Sequence, residues 1–302
     1  MIDRLMERID ALQSPIVVGL DPTPEMMPEF LRREMFARHG KTPKATAEMF
    51  TAFNREIIDR ISGLAPAVKP QIAFYEKYGL AGLASYLETV EYAKKKGLIV
   101  IGDIKRGDIA STAAAYAGHI GGAAVEGEWF DLWQEDAVTV NPYFGIDGIA
   151  PFVEACNAQD RGIFVLVRTS NPSSGELQDL ALASGGYFYE RVAELVEKWG
   201  GSAMGRRGYS RVCAVVGATH KEQGEALRGL MPHTFFLVPG YGAQGGTGAD
   251  LKGFFDKDGR GCIVNSSRGI TAAYKKSDQY GETDFGAAAA EAVLAMKADL
   301  GF

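Results

Sequence analysis

Eight short apolar segments, each followed by a stretch of helical periodicity, constrain the fold of this 302-residue chain most strongly. They are continuous hydrophobic runs rather than alternating ones, which is typical of parallel strands covered on both faces. They lie at residues 16–20, 66–70, 98–102, 137–140, 163–167, 212–216, 235–238 and 262–264. Eight such units in about 300 residues predict an α/β protein, a single-domain (β/α)8 TIM barrel.

A doubly wound open sheet is the alternative fold. That fold requires a Gly-x-Gly-x-x-Gly turn after the first strand, and residues 21–24 of this chain are DPTP instead. We expect one domain over residues 1–302, with insertions near 24–44, 119–135 and 171–182 that have no assigned role. Within the second insertion, residues 121–135 are predicted to mix helix and loop.

The composition narrows the classes of function. With 32 Lys and Arg against 38 Asp and Glu, the net charge of −6 argues against a nucleic-acid partner but leaves room for a local basic pocket. The four histidines are scattered and give no metal-ligand spacing. No secretion leader and no apolar run of about 18 residues is present, so we expect a cytoplasmic protein without a membrane partner.

The three cysteines, Cys156, Cys213 and Cys262, are far apart and odd in number, and each lies in or near an apolar segment. We therefore predict reduced core residues rather than a disulfide or a metal site.

Charged side chains cluster where the third apolar run ends. Asp103 and Lys105 are two positions apart, and side chains at i and i+2 of a strand point to the same face. Asp108 follows Gly107, and a glycine gives the backbone between these charged residues more conformational freedom. Because active sites of (β/α)8 barrels lie at the C-terminal ends of the strands, this cluster predicts a chemical role. The structural alternatives are a helix N-cap or a surface ion pair for Asp103, a solvated loop lysine for Lys105 and a helix cap for Asp108.

Other strand ends add polar candidates. Lys69 ends the second strand between Val68 and Pro70, where a surface role is unnatural. A carboxylate between two ammonium groups stays ionised, so Asp103 beside Lys69 and Lys105 would repel a substrate carboxylate while an ammonium delivers a proton. The remaining candidates at strand ends are Asp21, Asn141, Ser170, Gly240 and Arg268.

A glycine-rich loop, VPGYGAQGGTG at residues 238–248, follows the seventh strand. Glycines let backbone N–H groups approach an anion closely. Ser267 and Arg268 follow the eighth strand, and the loops after strands seven and eight are the common phosphate site of these barrels. A guanidinium such as that of Arg268 binds phosphate through two parallel hydrogen bonds. We therefore predict a phosphorylated substrate; a flexible surface loop is the alternative.

Residues 103–112, DIKRGDIAST, fit the Asp-x-Lys-x-x-Asp-Ile-x-x-Thr signature of orotidine 5′-phosphate decarboxylases. The chain also resembles this family at GLDP (19–22), KPQ (69–71), FYE (74–76), the 238–246 loop and SSRG (266–269). Its length, the insertion after the first strand and TSNP (169–172) are similar to the longer, type 2 bacterial branch. The resemblance covers nearly the whole predicted barrel.

The resemblance implies decarboxylation of orotidine monophosphate to UMP and carbon dioxide without metal or cofactor, the last step of de novo pyrimidine nucleotide synthesis. By position, Lys69, Asp103 and Lys105 would form a charged array, completed by Asp108 from the second subunit of a homodimer. Lys105 would stabilise the carbanion at C6 and protonate it. Asp103 would press against the substrate carboxylate in the ground state.

The resemblance also implies the substrate contacts. Asp21 and Lys69, with Thr112 of the partner subunit, would hold the ribose hydroxyls, and Ser170 or Asn171 would contact the pyrimidine. Gln244, nearby loop N–H groups and Arg268 would hold the phosphate. The full set of predicted substrate-binding residues is Asp21, Thr112, Ser170, Asn171, Gly240, Gln244, Gly245, Ser267 and Arg268.

Two other functions stay open on the sequence alone. A sugar-phosphate decarboxylase or aldolase-like barrel has a similar Asp-x-Lys on strand three, but it usually needs a divalent metal and an added acidic ligand. Asp108 together with Thr112 favours the metal-free reaction. A non-catalytic nucleotide-binding barrel would gain nothing from Asp103, because this side chain would repel the carboxylate of a substrate.

Overall fold

Eight parallel strands form a closed barrel in the computed structural model, which describes residues 1–219, 221–242 and 245–302. The barrel strands are Ile16–Leu20 (β1), Ala67–Pro70 (β2), Ile99–Arg106 (β3), Ala137–Val140 (β6), Gly162–Arg168 (β7), Val212–Val216 (β8), Phe236–Val238 (β9) and Cys262–Ser266 (β10); Ala123–Val125 (β4) and Glu128–Phe130 (β5) form a separate hairpin. Their order around the barrel is β1-β10-β9-β8-β7-β6-β3-β2. The predicted (β/α)8 barrel is confirmed, and the open doubly wound sheet is wrong.

Helices connect the strands in the alternating pattern that the sequence predicts. In chain order they are Ile2–Leu12 (α1), Glu29–His39 (α2), Pro43–Ile61 (α3), Ile72–Glu76 (α4), Gly79–Lys95 (α5), Ala110–Gly121 (α6), Ile146–Gln159 (α7), Gly175–Gln178 (α8), Phe188–Gly200 (α9), Lys221–Leu230 (α10), Arg268–Thr271 (α11) and Phe285–Asp299 (α12). No helix in the described part of the chain combines the length and the hydropathy needed to cross a membrane.

Burial on both faces explains why the strands are continuous apolar runs. Every residue of β1, β2, β6, β8 and β10 is buried. Lys69 departs from this apolar pattern, because it is a charged residue inside the fully buried strand β2. The third strand is longer than predicted: it continues to Arg106, so Asp103 and Lys105 lie within β3 rather than beyond its end.

The chain divides into two compact units. The larger unit comprises Met1–Glu7 and Lys105–Asn265, and the smaller unit comprises Arg8–Ile104 and Ser266–Phe302. Each unit has its own buried side chains.

Aromatic packing fills the smaller unit. Helix α3 packs against α5 and α12. Phe53 on α3 stacks on Phe285 of α12 with ring centroids 4.9 Å apart, and Tyr75 meets Phe50 and Tyr86 edge-on. Such aromatic pairs contribute about 1 kcal/mol each beyond the burial of their surface. They hold α3, α4 and α5 against one another beside β2.

The insertion at residues 24–44 belongs to the smaller unit and is well structured. It contains a 3₁₀ turn at Pro24–Met26 and the helix α2. Tyr274 donates a hydrogen bond of 2.7 Å to the carbonyl of Met26, and the Glu29 N–H donates one of 2.8 Å to Glu282. These bonds fasten the insertion to the segment that precedes α12.

The insertion at residues 119–135, in the larger unit, differs from expectation. Helix α6 ends at Gly121, and an antiparallel hairpin of β4 and β5 follows instead of mixed helix and loop. Glu126 (φ 50°) and Gly127 (φ 89°) form its two-residue turn. Positive φ at both central residues is the mark of a type I′ hairpin turn, whose usual sequences are Asn-Gly or Asp-Gly. The Glu-Gly pair lacks that signal, and the strands have three residues each, so the sequence pattern was too weak to predict a hairpin.

The three cysteines are buried free thiols, which confirms their predicted place in the core. Burial raises the pKa of the Cys156 thiol to about 12 and also raises the pKa values of Cys213 and Cys262. Because the thiolate is the reactive form, these residues are inert packing groups rather than nucleophiles.

Candidate functional site

A buried ion pair joins β2 and β3 in the smaller unit. Lys69 is 5% exposed and Asp103 is 6% exposed, and Lys69 Nζ lies 2.8 Å from Asp103 Oδ2. The parallel pairing of β2 with β3 and the bridge between Gln71 and Asp103 bring the two residues side by side, with Lys69 near the end of β2 and Asp103 within β3. This geometry contradicts the surface alternatives for both residues.

Asp21 completes a group of three charges, called here the Lys69 cluster (Asp21, Lys69 and Asp103). Its Oδ1 lies 3.9 Å from Lys69 Nζ, too far for a hydrogen bond. This Oδ1 is buried and has no hydrogen-bond partner among the described residues. A buried acceptor without a protein partner is costly, so this oxygen is able to accept a hydrogen bond from a hydroxyl or an amine.

Electrostatic interactions within the Lys69 cluster favour the charged form of Lys69. Burial by itself lowers the pKa of Lys69, but the attraction of Asp103 and Asp21 and the hydrogen bond that Lys69 donates to Asp103 outweigh this effect, so the pKa lies above its usual value. Lys69 is therefore a permanent ammonium at neutral pH. It can hold a ligand hydroxyl and keep Asp103 fixed, but it is a poor proton donor.

A second buried network fixes the end of β1 that carries Asp21. The Tyr75 hydroxyl donates to the carbonyl of Leu20 at 3.3 Å and accepts a hydrogen bond of 2.8 Å from Asn54 Nδ2. Asn54 also donates to Thr89 Oγ1 at 3.1 Å. Burial raises the pKa of Tyr75, which keeps its hydroxyl protonated as a donor. Tyr75 lies in the FYE sequence, but sequence reasoning gave it no role.

Ser267 and Arg268 follow β10 as predicted. Ser267 is the N-cap residue of α11, and Arg268 is the exposed first residue of that helix. Helix α11 packs against β1 and α12 within the smaller unit. The exposed guanidinium of Arg268 is thus carried by an element that rests on the strand leading to Asp21.

Lys105 begins the second segment of the larger unit, and it has an unusual backbone conformation. Its φ is +47°, in the left-handed region, and Lys105 is exposed. Its N–H donates a hydrogen bond of 2.9 Å to Oγ1 of Thr139, a buried residue of β6. A residue with a side chain adopts this conformation at a cost of about 1 kcal/mol, and such strain is common at functional sites. The i, i+2 rule assumes extended backbone, so it cannot by itself give the direction of the Lys105 side chain.

Asp108 and Thr112 lie beyond β3 in the same unit. Asp108 Oδ1 accepts the N–H of Ile109 at 2.7 Å, but Ile109 is the N-cap residue of α6, so the cap alternative for Asp108 is wrong. Thr112 is exposed on the first turn of α6. Both side chains are therefore reachable from outside this unit, and neither is committed to its core.

The predicted pyrimidine contacts lie directly after β7. A Cβ on Gly217 would come within 2.9 Å of the Ser170 backbone and side chain, so Gly217 is required for β8 to approach Ser170 this closely. The Gly217 N–H donates to the carbonyl of Arg168 at 2.7 Å. Asn171 is exposed, and its Oδ1 accepts the Thr169 hydroxyl at 2.7 Å.

The glycine-rich loop after β9 contains three glycines with positive φ. Gly240, Gly242 and Gly245 have φ values of 101°, 68° and 93°, which residues with a side chain rarely adopt. Gly242 N–H donates to the carbonyl of Gly246 at 2.9 Å. Gln244, the side chain predicted to hold phosphate, lies outside the described residues.

Two residues that sequence reasoning did not select contribute to this geometry. Thr139 looks in the sequence like an ordinary residue of an apolar strand, and Arg168 directly follows the fifth apolar run. A charged residue at the end of a strand buried on both faces was a usable signal for Arg168. Among the described residues, no group of three or more His, Cys, Asp or Glu side chains could hold a metal ion.

Comparison with known proteins identifies a family of similar chains. Residues 14–282 match the family described as "Orotidine 5′-phosphate decarboxylase / HUMPS family". The chain is 48% identical over 261 residues to the orotidine 5′-phosphate decarboxylase of Rhodopirellula baltica, covering 86% of this chain and 84% of that protein. It is 42% identical over 301 residues to the enzyme of the same name from Clostridium novyi, covering 100% of this chain and 98% of that protein.

A solved structure agrees with these sequence matches. The chain is similar to the structure of Leishmania donovani OMP decarboxylase with a TM-score of 0.72 and 32% identity. The match covers 98% of both chains. The similarity therefore extends over the whole barrel rather than over one motif.

The buried ion pair predicts a specific loss of stability. Lys69→Met removes the ammonium and leaves Asp103 as a buried carboxylate, so we expect the free energy of unfolding in urea to fall by about 3–5 kcal/mol. The pKa of Lys69 is raised in the folded state, so its contribution is complete below the ordinary value of 10.5 and is lost only as the pH rises through the folded pKa. The difference from wild type should therefore be constant between about pH 7 and pH 9.

The control for this prediction is Lys95→Met, which removes an exposed lysine paired with Glu91 on the surface of α5. That variant should unfold like the wild type. A Lys69→Met difference that grows as the pH rises through 8 would mean that the pKa of Lys69 is lowered in the folded state, and it would contradict the charged form described above.

Proposed function

Because this chain belongs to the orotidine 5′-phosphate decarboxylase / HUMPS family, we propose that it converts orotidine 5′-phosphate to UMP and carbon dioxide with the residues of the Lys69 cluster and Lys105. The observation that carries the assignment of residues is the buried Lys69–Asp103 pair with the unpartnered Asp21 Oδ1 beside it. The reaction completes the synthesis of pyrimidine nucleotides. A metal-dependent sugar-phosphate decarboxylase or aldolase is not favoured, since the family and the relatives are named for the orotidine enzyme.

The chemical step needs a cation at C6 of the pyrimidine. The bond between C6 and the carboxylate carbon breaks, carbon dioxide leaves, and the electron pair stays on C6. The ammonium of Lys105 stabilises this developing negative charge and then transfers one proton to C6, becoming a neutral amine that solvent reprotonates. The positive φ of Lys105 and its bond to Thr139 support this role, because they hold the backbone that carries the ammonium.

The Lys69 cluster positions the substrate and repels its carboxylate. Asp103, kept ionised by Lys69, faces the substrate carboxylate, so the ground state is disfavoured relative to a transition state in which that charge moves away. Asp21 Oδ1 accepts a ribose hydroxyl, and Lys69 donates to the same sugar. A buried acceptor and an immobile ammonium suit this task, since both are fixed before the substrate arrives.

The ends of the substrate bind to the loops after the later strands. The phosphate is held by Arg268, by Gln244 and by N–H groups of the glycine-rich loop, with Gly240, Gly245 and Ser267 lining the site. The positive φ values in that loop support this assignment, because such turns direct N–H groups toward an anion. Ser170 and Asn171 contact the pyrimidine.

The active enzyme is a homodimer with shared active sites. Asp108 and Thr112 of each subunit act in the site of the other, Asp108 in the charged array and Thr112 at the ribose. The exposure of Thr112 and of Ile109, half of whose surface is accessible, supports a partner on this side of α6. The protein acts in the cytoplasm, without a metal or cofactor, as one domain over residues 1–302.

The proton donor is tested by turnover of orotidine 5′-phosphate, followed by the loss of its absorbance. The wild type should consume the substrate equally with and without EDTA. Lys105→Ala should reduce kcat by about a hundredfold or more, which is the usual size of a lost general acid. Its fold should be intact, because Lys105 is exposed.

Lys198→Ala, at an exposed lysine of α9, is the matched control and should keep wild-type kinetics. Near-normal turnover by Lys105→Ala would exclude it as the proton donor. Loss of wild-type activity with EDTA would instead favour a metal-dependent barrel.

Shared active sites predict that two inactive variants restore activity when their subunits are exchanged. A heterodimer of Lys105→Ala and Asp108→Ala contains one site with both residues intact and one site with neither. Random exchange of equal amounts should recover roughly a quarter of wild-type activity, since half of the dimers are mixed and half of their sites are complete. Each variant exchanged with itself is the control, and a mixture no more active than its components would place Asp108 in its own subunit's site.

A further inference from the structure

An arginine is buried where the strand β7 ends in the larger unit. Arg168 is 2% exposed, and its planar guanidinium forms four hydrogen bonds to side chains. It also lies over the ring of Tyr189, with Cζ 5.4 Å from the ring centroid. Burying a guanidinium is costly unless its donors are hydrogen-bonded. These four hydrogen bonds offset the cost of burying Arg168.

Most partners of Arg168 belong to the insertion at residues 171–182, which had no role. Arg168 Nη1 donates to Ser174 Oγ at 3.0 Å and to Gln178 Oε1 at 3.1 Å, and Nη2 donates to Asp179 Oδ2 at 3.0 Å. Nε donates to Gln223 of α10 at 2.6 Å. The guanidinium therefore folds the insertion, including the short helix α8, back against the end of its own strand.

Gln178 connects Arg168 to the residues predicted to contact the pyrimidine. Its Oε1 also accepts the Thr169 N–H at 2.9 Å, and its Nε2 donates to Thr169 Oγ1 at 2.7 Å. The Thr169 hydroxyl in turn donates to Asn171 Oδ1 at 2.7 Å. Arg168, Gln178, Thr169 and Asn171 are thus joined by consecutive hydrogen bonds.

The backbone of Arg168 fixes Ser170 from the other side. Its carbonyl accepts the Gly217 N–H at 2.7 Å, and Gly217 is the residue against which Ser170 packs. Ser170 is therefore held between a backbone bond to β8 and a side-chain network to the insertion. Neither constraint would be needed merely to close a surface loop.

We propose that Arg168 and Gln178 are positioning residues that fix Ser170 and Asn171 for recognition of the pyrimidine base. This inference rests on the proposed function, because it assumes that the ligand is a pyrimidine nucleotide. Arg168 itself does not touch the ligand, since its donors are turned into the protein and paired there. The insertion is then a specificity element, which reads the base and leaves the sugar phosphate to other residues.

The test compares two ligands that share a phosphorylated ribose but differ in the base. Binding of UMP and of ribose 5-phosphate is measured by calorimetry for the wild type and for Gln178→Ala. We expect the Kd of UMP to rise about tenfold, as for loss of a well-placed polar contact, while the Kd of ribose 5-phosphate changes less than about twofold. Glu176→Ala, at an exposed residue of the same short helix, is the matched control and should change neither Kd.

A second variant, Arg168→Met, removes the centre of the network and should show the same selectivity with a larger loss for UMP. If it does not fold, as judged by circular dichroism, Gln178→Ala still decides the matter. Equal losses for both ligands, or no loss of UMP binding in Gln178→Ala, would overturn the positioning role.

This outcome is separable from failure of the proposed function. A wild type that binds UMP but does not decarboxylate orotidine 5′-phosphate would refute the activity, and the selective effect of Gln178→Ala would still support base recognition. A wild type that binds neither UMP nor ribose 5-phosphate would overturn the proposal, because the insertion would have no nucleotide to recognise.

Discussion

The ion pair of Lys69 with Asp103 is the interaction on which the account depends. Two opposite charges are removed from water at the end of adjacent strands, 2.8 Å apart, with Asp21 beside them. Burial of such a pair gains little stability, since the cost of desolvation offsets most of the attraction. What it provides is a fixed electrostatic field: the raised pKa keeps Lys69 charged, and the ion pair holds the Asp103 carboxylate in place.

Behind several predicted site residues there is a buried polar residue that holds the neighbouring backbone. Tyr75 bonds the carbonyl of Leu20 beside Asp21, Thr139 accepts the N–H of Lys105, and Arg168 organises the segment that contains Ser170. The residues proposed to bind the ligand are therefore kept in position by buried residues that have no proposed ligand contact. Preorganisation of this kind matters for catalysis because displacement of a reacting group by about 1 Å can cost about a hundredfold in rate.

The sequence predicted the barrel well, because strands covered on both faces leave continuous apolar runs that alternate with helices. It also selected Asp21, Lys69 and Asp103, whose charge at strand ends has no role in packing. It missed the hairpin after Gly121, whose Glu-Gly turn lacks the usual signal, and it missed Thr139 and Arg168. Their importance depends on partners brought close only by the fold: Thr139 is 34 residues from Lys105, and Gln223 is 55 residues from Arg168.

The most direct test of the central claim is the Asp103→Asn variant, which keeps the shape of the side chain and removes its charge. Its kcat for orotidine 5′-phosphate and its Kd for UMP should be measured together. If the fixed charge of Asp103 drives the reaction, kcat falls by about a hundredfold or more, while UMP, which has no carboxylate to repel, binds within a few-fold of the wild type. Near-normal kcat in Asp103→Asn would contradict the account.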